Sequence, residues 1–455
     1  MKDSIDFGSM EISTLFRKLL IPTVLGMVFS AIFVITDGIF VGKGIGSDAL
    51  AAVNITAPLF MITTGIGLMF GVGASVVASI HLSQGKKKVA SINITQAVFF
   101  SALVILVMSG TCFYFMEPLA RLLGSSERLM QDVLEYMTWY VPFLVFYVLM
   151  GAGMFYIRLD GSPNYAMACN VVAAVINIIL DYIFIFKFGW GLMGAAFATS
   201  IGMGVGALMT LIYLIWFSRN ISLYRIKLSW KSLLLTCRNI GYMIKLGTSA
   251  FVSEASIAVM MFLGNYVFIR YLGEDGVAAF SIVCYFFPII FMVYNAIAQS
   301  AQPIISYNFG SNQQERVQKA FRLSIRTAVI CGFGFFVITA LCSQHIVTLF
   351  IDRSYDAFDI ATKGIPYFAI GYIFFAFNMV GIGYYQSIER ARRATIITLL
   401  RGVIFMLIGF FILPPMLGVI GIWLAVPLAE LLTFLYIIGI YLKDRFFVRQ
   451  GCVSL

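Results

Sequence analysis

The stretch FVITDGIFVG, residues 33–42, places one carboxylate, Asp37, inside the first long apolar run of the chain. The residues before it, from Leu19 to Thr36, carry no charge and are numerous enough to cross the hydrocarbon core of a membrane as a helix. An ionised carboxylate in hydrocarbon is costly, so it needs a partner, a water-filled cavity or a proton. Asp37 therefore indicates a membrane-spanning helix and a role beyond packing.

The composition extends this interpretation to the whole chain. Of the 455 residues, 61% are hydrophobic and only 11% are charged, which is far from the composition of a soluble domain. The seven cysteines are scattered and form no CxxC pair, so they predict neither a metal cluster nor a disulfide framework. No small-residue cleavage site follows the first apolar run, so we expect a retained helix rather than a signal peptide.

Runs of uncharged residues predict twelve membrane-spanning helices, each with about 20 or more residues. The predicted limits are 14–40, 50–79, 91–116, 135–157, 164–186, 192–217, 240–270, 276–305, 318–342, 362–387, 393–413 and 418–441.

The basic residues assign a direction to these helices. Of the 31 Lys and Arg residues, 24 fall on one side of the predicted membrane and 7 on the other. The positive-inside bias predicts that the richer side, with both termini, is cytoplasmic. We therefore expect a multi-pass membrane protein with both termini in the cytoplasm. The basic residues lie at helix ends and short loops, which favours membrane lipid as the partner and argues against nucleic acid.

An offset of 227 residues reveals an internal repeat. GIGSDALAAV (44–53) aligns with YLGEDGVAAF (271–280), and GLMGAAFA (191–198) aligns with GVIGIWLA (418–425). With small insertions, LSQGKKKVA (82–90) also aligns with the segment 307–320. Six helices per copy is an even number, so both copies enter the membrane from the same side.

The repeat predicts the fold class and the domain organisation. The fold class is an all-α integral membrane protein with twelve transmembrane helices in two pseudo-symmetric six-helix lobes. The N-lobe covers residues 1–217, a basic cytoplasmic connector covers 218–239, and the C-lobe covers 240–455. Duplicated bundles of this kind typically carry a substrate between the lobes and alternate access by rocking.

Four polar residues of the N-lobe should lie at similar depth in the membrane. Asn177 and Asp181 share one face of helix 5, Thr199 lies in helix 6, and Asp37 lies in helix 1. Two carboxylates, an amide oxygen and a hydroxyl are hard donors that suit a proton or Na⁺. The alternative is that Asn177 and Thr199 satisfy helix backbones while Asp181 lies at the membrane interface.

Three further polar residues are candidates for ion coupling or substrate contact. Glu254 lies near the middle of helix 7, where it is either an ion or substrate contact or a neutral acid bonded to a neighbouring helix. Gln302 and Gln386 are either cavity or gate groups or hydrogen-bonding groups between helices.

Two other features have mainly structural interpretations. Arg401 and Glu430 reach comparable depth on adjacent antiparallel helices, which favours a buried ion pair over a transport role. Pro22 shares helix 1 with Asp37 and permits a bend there. The charge on Asp37 could be coupled to that bend.

Several strings resemble the multidrug and toxic compound extrusion (MATE) family, especially its bacterial MepA-like branch. They are TDGIFVGKGIGSDALAAVNITAP (36–58), NIILDYIFIFKFGWGLMGAAFAT (177–199), AQPIISYNFG (301–310) and GYYQSIERARRA (383–394). The resemblance covers nearly the whole chain and implies a V-shaped pair of lobes. It also implies efflux of organic cations driven by inward H⁺ or Na⁺.

The resemblance implies roles for particular residues. Asp37, Asn177, Asp181 and Thr199 would form the N-lobe cation site, and Pro22 would mark the bend of helix 1. Glu254 stands where some members place an acidic coupling residue. The further acid that those members carry in helix 10 is missing from this chain, which favours the N-lobe as the ion site.

The function expected from the sequence is secondary active multidrug efflux by antiport of lipophilic organic cations. We expect no cofactor, H⁺ or Na⁺ as the coupling ion, and a monomer. The alternative is a flippase for a lipid-linked saccharide or another amphiphile. We do not expect an enzyme, because the only two histidines, His81 and His345, are far apart in sequence and near loops.

Overall fold

The computed structural model describes residues 5–225, 229–351, 353 and 355–449. Every regular element in these ranges is a helix. Ten helices are long and apolar enough to cross a membrane, and a pair of helices joined by a 43° bend supplies another crossing. Helices satisfy their own backbone hydrogen bonds, which the interior of a bilayer requires.

One of the ten helices, Trp230–Gly310, contains two crossings. Its 81 residues would span about 120 Å at 1.5 Å per residue, several times the thickness of the hydrocarbon core. Gly273 interrupts it with φ 66° and ψ −156°, which are not helical values. The described residues therefore contain twelve crossings, and the predicted fold class is confirmed.

We number the spanning helices α1 to α12 in chain order. Their bounds are Ile12–Gly44, Ser47–Ser83, Lys87–Tyr114, Met130–Leu159, Pro163–Lys187, Gly191–Phe217, 230–272, 274–310, Gln314–Leu341, Asp356–Ala369 with Gly371–Ser387, Ala391–Leu417 and Val419–Arg449. Two short helices, Met116–Leu122 and Ser343–Thr348, precede α4 and α10.

The turns between helices carry the internal repeat. Three pairs of residues at the predicted offset of 227 all have φ between +58° and +139°. Left-handed backbone favours glycine and tolerates asparagine, so the same turn is formed twice by the same kind of residue. The pairs are Gly46 and Gly273, Gly85 and Asn312, and Gly191 and Gly418.

Helix α10 differs in its bounds from the span predicted over 362–387. It begins earlier, at Asp356, and bends by 43° between Ala369 and Gly371. Pro366 lies inside the first part and removes one backbone donor there. Gly371 opens the second part and packs against Pro427, where a Cβ would lie 3.2 Å from the proline Cα. A proline and a close helix contact thus flank the bend.

The Cα positions group into two compact units. The first comprises Met1–Phe251 with Gln302–Val317, and the second comprises Val252–Ala301 with Gln318–Leu455. The lobe boundaries expected from the sequence stay a prediction. Residues 226–228 of the expected connector lie outside the described residues, as do both chain termini.

Candidate functional site

Polar side chains from α1, α5 and α6 meet inside the first unit. The Thr199 hydroxyl lies 3.4 Å from Asp37 Oδ1 and donates to it, and the Asn177 amide Nδ2 donates to Thr199 Oγ1 at 3.2 Å. The Asp181 carboxyl group lies close enough to Asp37 and Asn177 to interact electrostatically with both. The structure therefore brings the four residues expected for the N-lobe cation site into one cluster, which we call the acid cluster.

Close packing of α5 and α6 allows this meeting. Gly202 lies one turn beyond Thr199, and a Cβ there would be 2.9 Å from the Ala173 carbonyl oxygen and 3.2 Å from Asn177 Cβ. Directly after Asp181, α5 changes to a π-helix over Tyr182–Lys187. Single-turn π-helices are rare and are frequently found at functional sites.

Most side chains of the acid cluster are buried, and few groups donate hydrogen bonds to its carboxylates. Asp181 is fully buried, with 0% of its surface exposed, and Asn177 and Thr199 are buried beside it. Asp37 is half-buried. Among the described residues, no group donates a hydrogen bond to either carboxylate oxygen of Asp181. Two neighbouring carboxylates repel each other unless a proton or a cation lies between them.

Asp160, in the loop between α4 and α5, is an acid of the same unit with a structural role. Its oxygens accept hydrogen bonds from the backbone N–H groups of residues 219–221 and from the Tyr213 hydroxyl, at 2.7 to 3.0 Å. Burial raises the pKa of Asp160, and the backbone hydrogen bonds act against that rise. Both oxygens of Asp160 thus accept hydrogen bonds, and these bonds fix the start of the connector. Asp181 has no hydrogen-bond donor among the described residues.

Two tyrosines of α4 complete the surroundings of the acid cluster. Tyr136 and Tyr140 are buried, stack with ring centroids 5.2 Å apart and lie close enough to Asp37 to interact with its charge. Sequence reasoning missed both. Their spacing of four residues on one helix face was a signal, but it is weak in a chain with 22 tyrosines.

A second polar cluster lies in the second unit, around Arg401 and Glu430. Arg401 Nε is 3.6 Å from Glu430 Oε1, and both side chains are 3% exposed. The Asn378 amide donates to Glu430 Oε2 at 2.7 Å. Arg401 also donates to Ser256 Oγ at 3.0 Å, and its guanidinium lies 4.8 Å from the Phe375 ring centroid. We call this group the paired cluster, because its acid has a cationic partner.

The remaining candidates lie apart from the acid cluster. Glu254 is half-buried and makes no hydrogen bond or ion pair within the described part of the chain. Gln302 is buried and donates to the Val72 carbonyl oxygen at 3.3 Å, which is helix-interface bonding. Gln386 is buried near the end of α10. Pro22 is buried inside α1, which is a single helix from Ile12 to Gly44, and the expected bend stays a prediction.

The acid cluster offers oxygen ligands only. Two carboxylates, one amide and one hydroxyl suit a proton or a hard cation such as Na⁺. No group of three or more His, Cys, Asp or Glu side chains in the described ranges is arranged to hold a metal ion.

Comparison with known proteins identifies the family. The MatE family model matches residues 22–183 and 249–430, which is well over half of the chain. The chain belongs to the MATE family. The two matched stretches begin 227 residues apart, at the offset of the internal repeat. The resemblance stated from the sequence is thereby confirmed.

Two kinds of transporter occur among the similar curated proteins. The multidrug export protein MepA of Staphylococcus aureus is 27% identical over 456 residues, which cover 96% of each chain. The FAD transporter of Shewanella oneidensis is 25% identical over 452 residues and 95% of each chain. Relatives of this MATE protein thus include transporters that are named for different substrates.

Solved MATE structures share the fold. A multidrug resistance MATE family transporter in an outward-facing conformation is 22% identical, with a TM-score of 0.84 over 96% of this chain and 97% of that chain. A transporter of the MOP superfamily from Pyrococcus furiosus, described as having a binding pocket of reverse polarity, is 21% identical with a TM-score of 0.86 over 100% of each chain. At these identities the likeness establishes the architecture.

Proposed function

We propose that this MATE protein is a secondary active multidrug exporter that exchanges lipophilic organic cations for inward-moving H⁺ or Na⁺. The proposal places it in the bacterial cytoplasmic membrane as a monomer with both termini in the cytoplasm. The observation that carries it is the pair of carboxylates, Asp37 and Asp181, which lie together in the first unit. Among the described residues, neither has a basic partner and no group donates a hydrogen bond to Asp181.

The chemistry of this pair supports exchange. Two adjacent carboxylates retain a proton or a cation more readily than either would alone, because the bound positive charge removes their mutual repulsion. A positively charged substrate in the first unit would weaken that binding. Release of the ion on one side of the membrane and its uptake on the other then couples the gradient to export, and rocking of the two repeats provides the alternation.

Transport by the purified protein in liposomes tests the proposal. A fluorescent lipophilic cation should move against its gradient when a proton or sodium gradient is imposed, and the two gradients applied separately identify the coupling ion. Asp37→Asn and Asp181→Asn should reduce this transport to the rate of empty liposomes. The matched control is Asp275→Asn, which removes the same charge from an exposed position.

The same liposomes test the alternatives. A flippase for a lipid-linked saccharide would expose a labelled headgroup lipid without any ion gradient. FAD is the substrate named for the Shewanella relative, and it can be loaded in place of the cation. Phosphate groups of FAD should favour a basic site, and the acid cluster favours the organic cation. Full transport by either Asp→Asn variant would overturn the proposal.

A further inference from the structure

A cavity of about 380 Å³ lies in the second unit between α9, α10 and α12, and no residue of the paired cluster lines it. Its lining includes two arginines of α9, Arg322 and Arg326, and a set of aromatic and aliphatic side chains. The apolar set includes Phe321, Phe377, Tyr384, Ile437, Ile438 and Tyr441. A volume of this size is in the range of ligand-binding pockets.

The two arginines are not neutralised by protein acids. Arg322 donates to the Gln318 side chain at 3.3 Å, and neither arginine forms an ion pair with a carboxylate in the described ranges. Both are exposed. Like charges four residues apart on a helix repel each other, so an anion bound between them would be stabilising. The charge of the cavity therefore selects a negative group.

The rest of this face of α9 is apolar and exposed. Ile330 and Phe333 follow Arg322 and Arg326 at helical spacing on the same face, and they are 71% and 57% exposed. In a spanning helix, exposed apolar residues face the acyl chains. A single helix face thus has a basic part followed by an apolar part, which matches the order of headgroup and acyl chain in a phospholipid.

The position of the cavity along the helices agrees with a headgroup level. Tyr384 lies three residues before the end of α10 at Ser387, and Tyr441 lies two residues before Lys443 in α12. These ends are on the side expected to be cytoplasmic, where the leaflet is anionic. A long arginine side chain can reach that level from one turn deeper in the helix.

We propose that this cavity binds an anionic phospholipid of the cytoplasmic leaflet. The phosphate group lies between Arg322 and Arg326, and an acyl chain runs along Phe377, Ile437 and Ile438. The proposal rests on the expected membrane orientation and does not depend on the transported substrate.

Thermal unfolding of the purified full-length protein in neutral detergent tests the proposal. Phosphatidylglycerol should raise the unfolding temperature, and phosphatidylcholine with identical acyl chains should raise it much less. The double variant Arg322→Gln/Arg326→Gln should bind phosphatidylglycerol about 30-fold more weakly, since each basic residue near an anionic surface contributes roughly five-fold. Inorganic phosphate alone should have no effect.

Two further variants distinguish lipid binding in the cavity from a general attraction between basic residues and anionic lipid. Lys319→Gln removes a positive charge from an exposed position of the same helix outside the cavity, and it should respond as the wild type does. Ile438→Trp fills the cavity while keeping both arginines, and it should lose most of the response. Equal stabilisation by phosphatidylcholine or by phosphate would overturn the proposal. So would an equal loss in Lys319→Gln, or an unchanged response in the double variant.

Discussion

The acid cluster and the paired cluster are both buried inside the membrane, but they balance charge in opposite ways. In the paired cluster, Glu430 has Arg401 at 3.6 Å and the Asn378 amide at 2.7 Å. In the acid cluster, the Asn177 amide donates to Thr199, the Thr199 hydroxyl donates to Asp37, and Asp181 has no hydrogen-bond donor among the described residues. The paired cluster thus contains its own cation, whereas in the proposed function the transported ion supplies the positive charge to the acid cluster.

The repeat shows that the acid cluster is specific to the first copy. At the offset of 227, the positions of its four members are occupied by apolar residues in the second copy. Those residues are Gly264, Ile404, Ile408 and Val426. The turns and the helices thus occur in both copies, whereas the four polar side chains of the acid cluster occur only in the first. In the proposed function, exchange belongs to the acid cluster, and the paired cluster contributes to stability.

Breaking the ion pair should give the largest effect on stability. Arg401→Met leaves Glu430 buried without its cation, which should lower the free energy of unfolding by about 3–5 kcal/mol. The double variant Arg401→Met/Glu430→Met removes both charges and should recover most of that loss. Denaturant unfolding of the two variants measures this. A single variant as stable as the double variant would show that the pair has no structural role.

Replacing Asp160 or Asp181 singly should change the free energy of unfolding by a smaller amount, and the two changes should differ in sign. Asp160→Asn replaces one acceptor oxygen by an NH₂ group, so at least one backbone N–H of residues 219–221 loses its acceptor, which should cost about 1–3 kcal/mol. Asp181→Asn removes a buried charge that has no donor, so unfolding stability should stay the same or rise. Thermal unfolding of both variants makes the comparison. A large loss in Asp181→Asn would indicate a structural acid.

Removal of a tyrosine hydroxyl near Asp37 should give the smallest effect, a modest change in coupling-ion affinity. Tyr136→Phe removes one neutral polar group from the surroundings of the acid cluster and should weaken coupling-ion affinity by about 3- to 10-fold. The control is Tyr114→Phe, since Tyr114 is 81% exposed. The ion concentration that gives half-maximal transport reports the change. Identical values for the two variants would show that the Tyr136 hydroxyl does not contribute to ion affinity.

Sequence reasoning reached the fold because its signals are local. Apolar runs fix the helices, and glycines such as Gly46 and Gly273 fix the repeated turns. The meeting of Asp37 with Thr199 could be anticipated from depth, since 1.5 Å per residue converts position into height. Pro366 signalled in the sequence that the tenth helix could bend, but it did not give the position or the angle of the bend before Gly371, and Tyr136 was not singled out. These features depend on which faces of neighbouring helices pack together, and depth does not determine rotation.

Competition between substrate and coupling ion tests the central claim most directly. The claim is that Asp37 and Asp181 hold an exchangeable ion that a cationic substrate displaces. Calorimetric titration of a lipophilic cation, over a series of pH values and Na⁺ concentrations, should show its affinity falling as the coupling ion increases. Asp181→Asn should abolish that dependence, and Arg401→Met/Glu430→Met should retain it. An affinity independent of both pH and Na⁺, or an unchanged dependence in Asp181→Asn, would contradict the account.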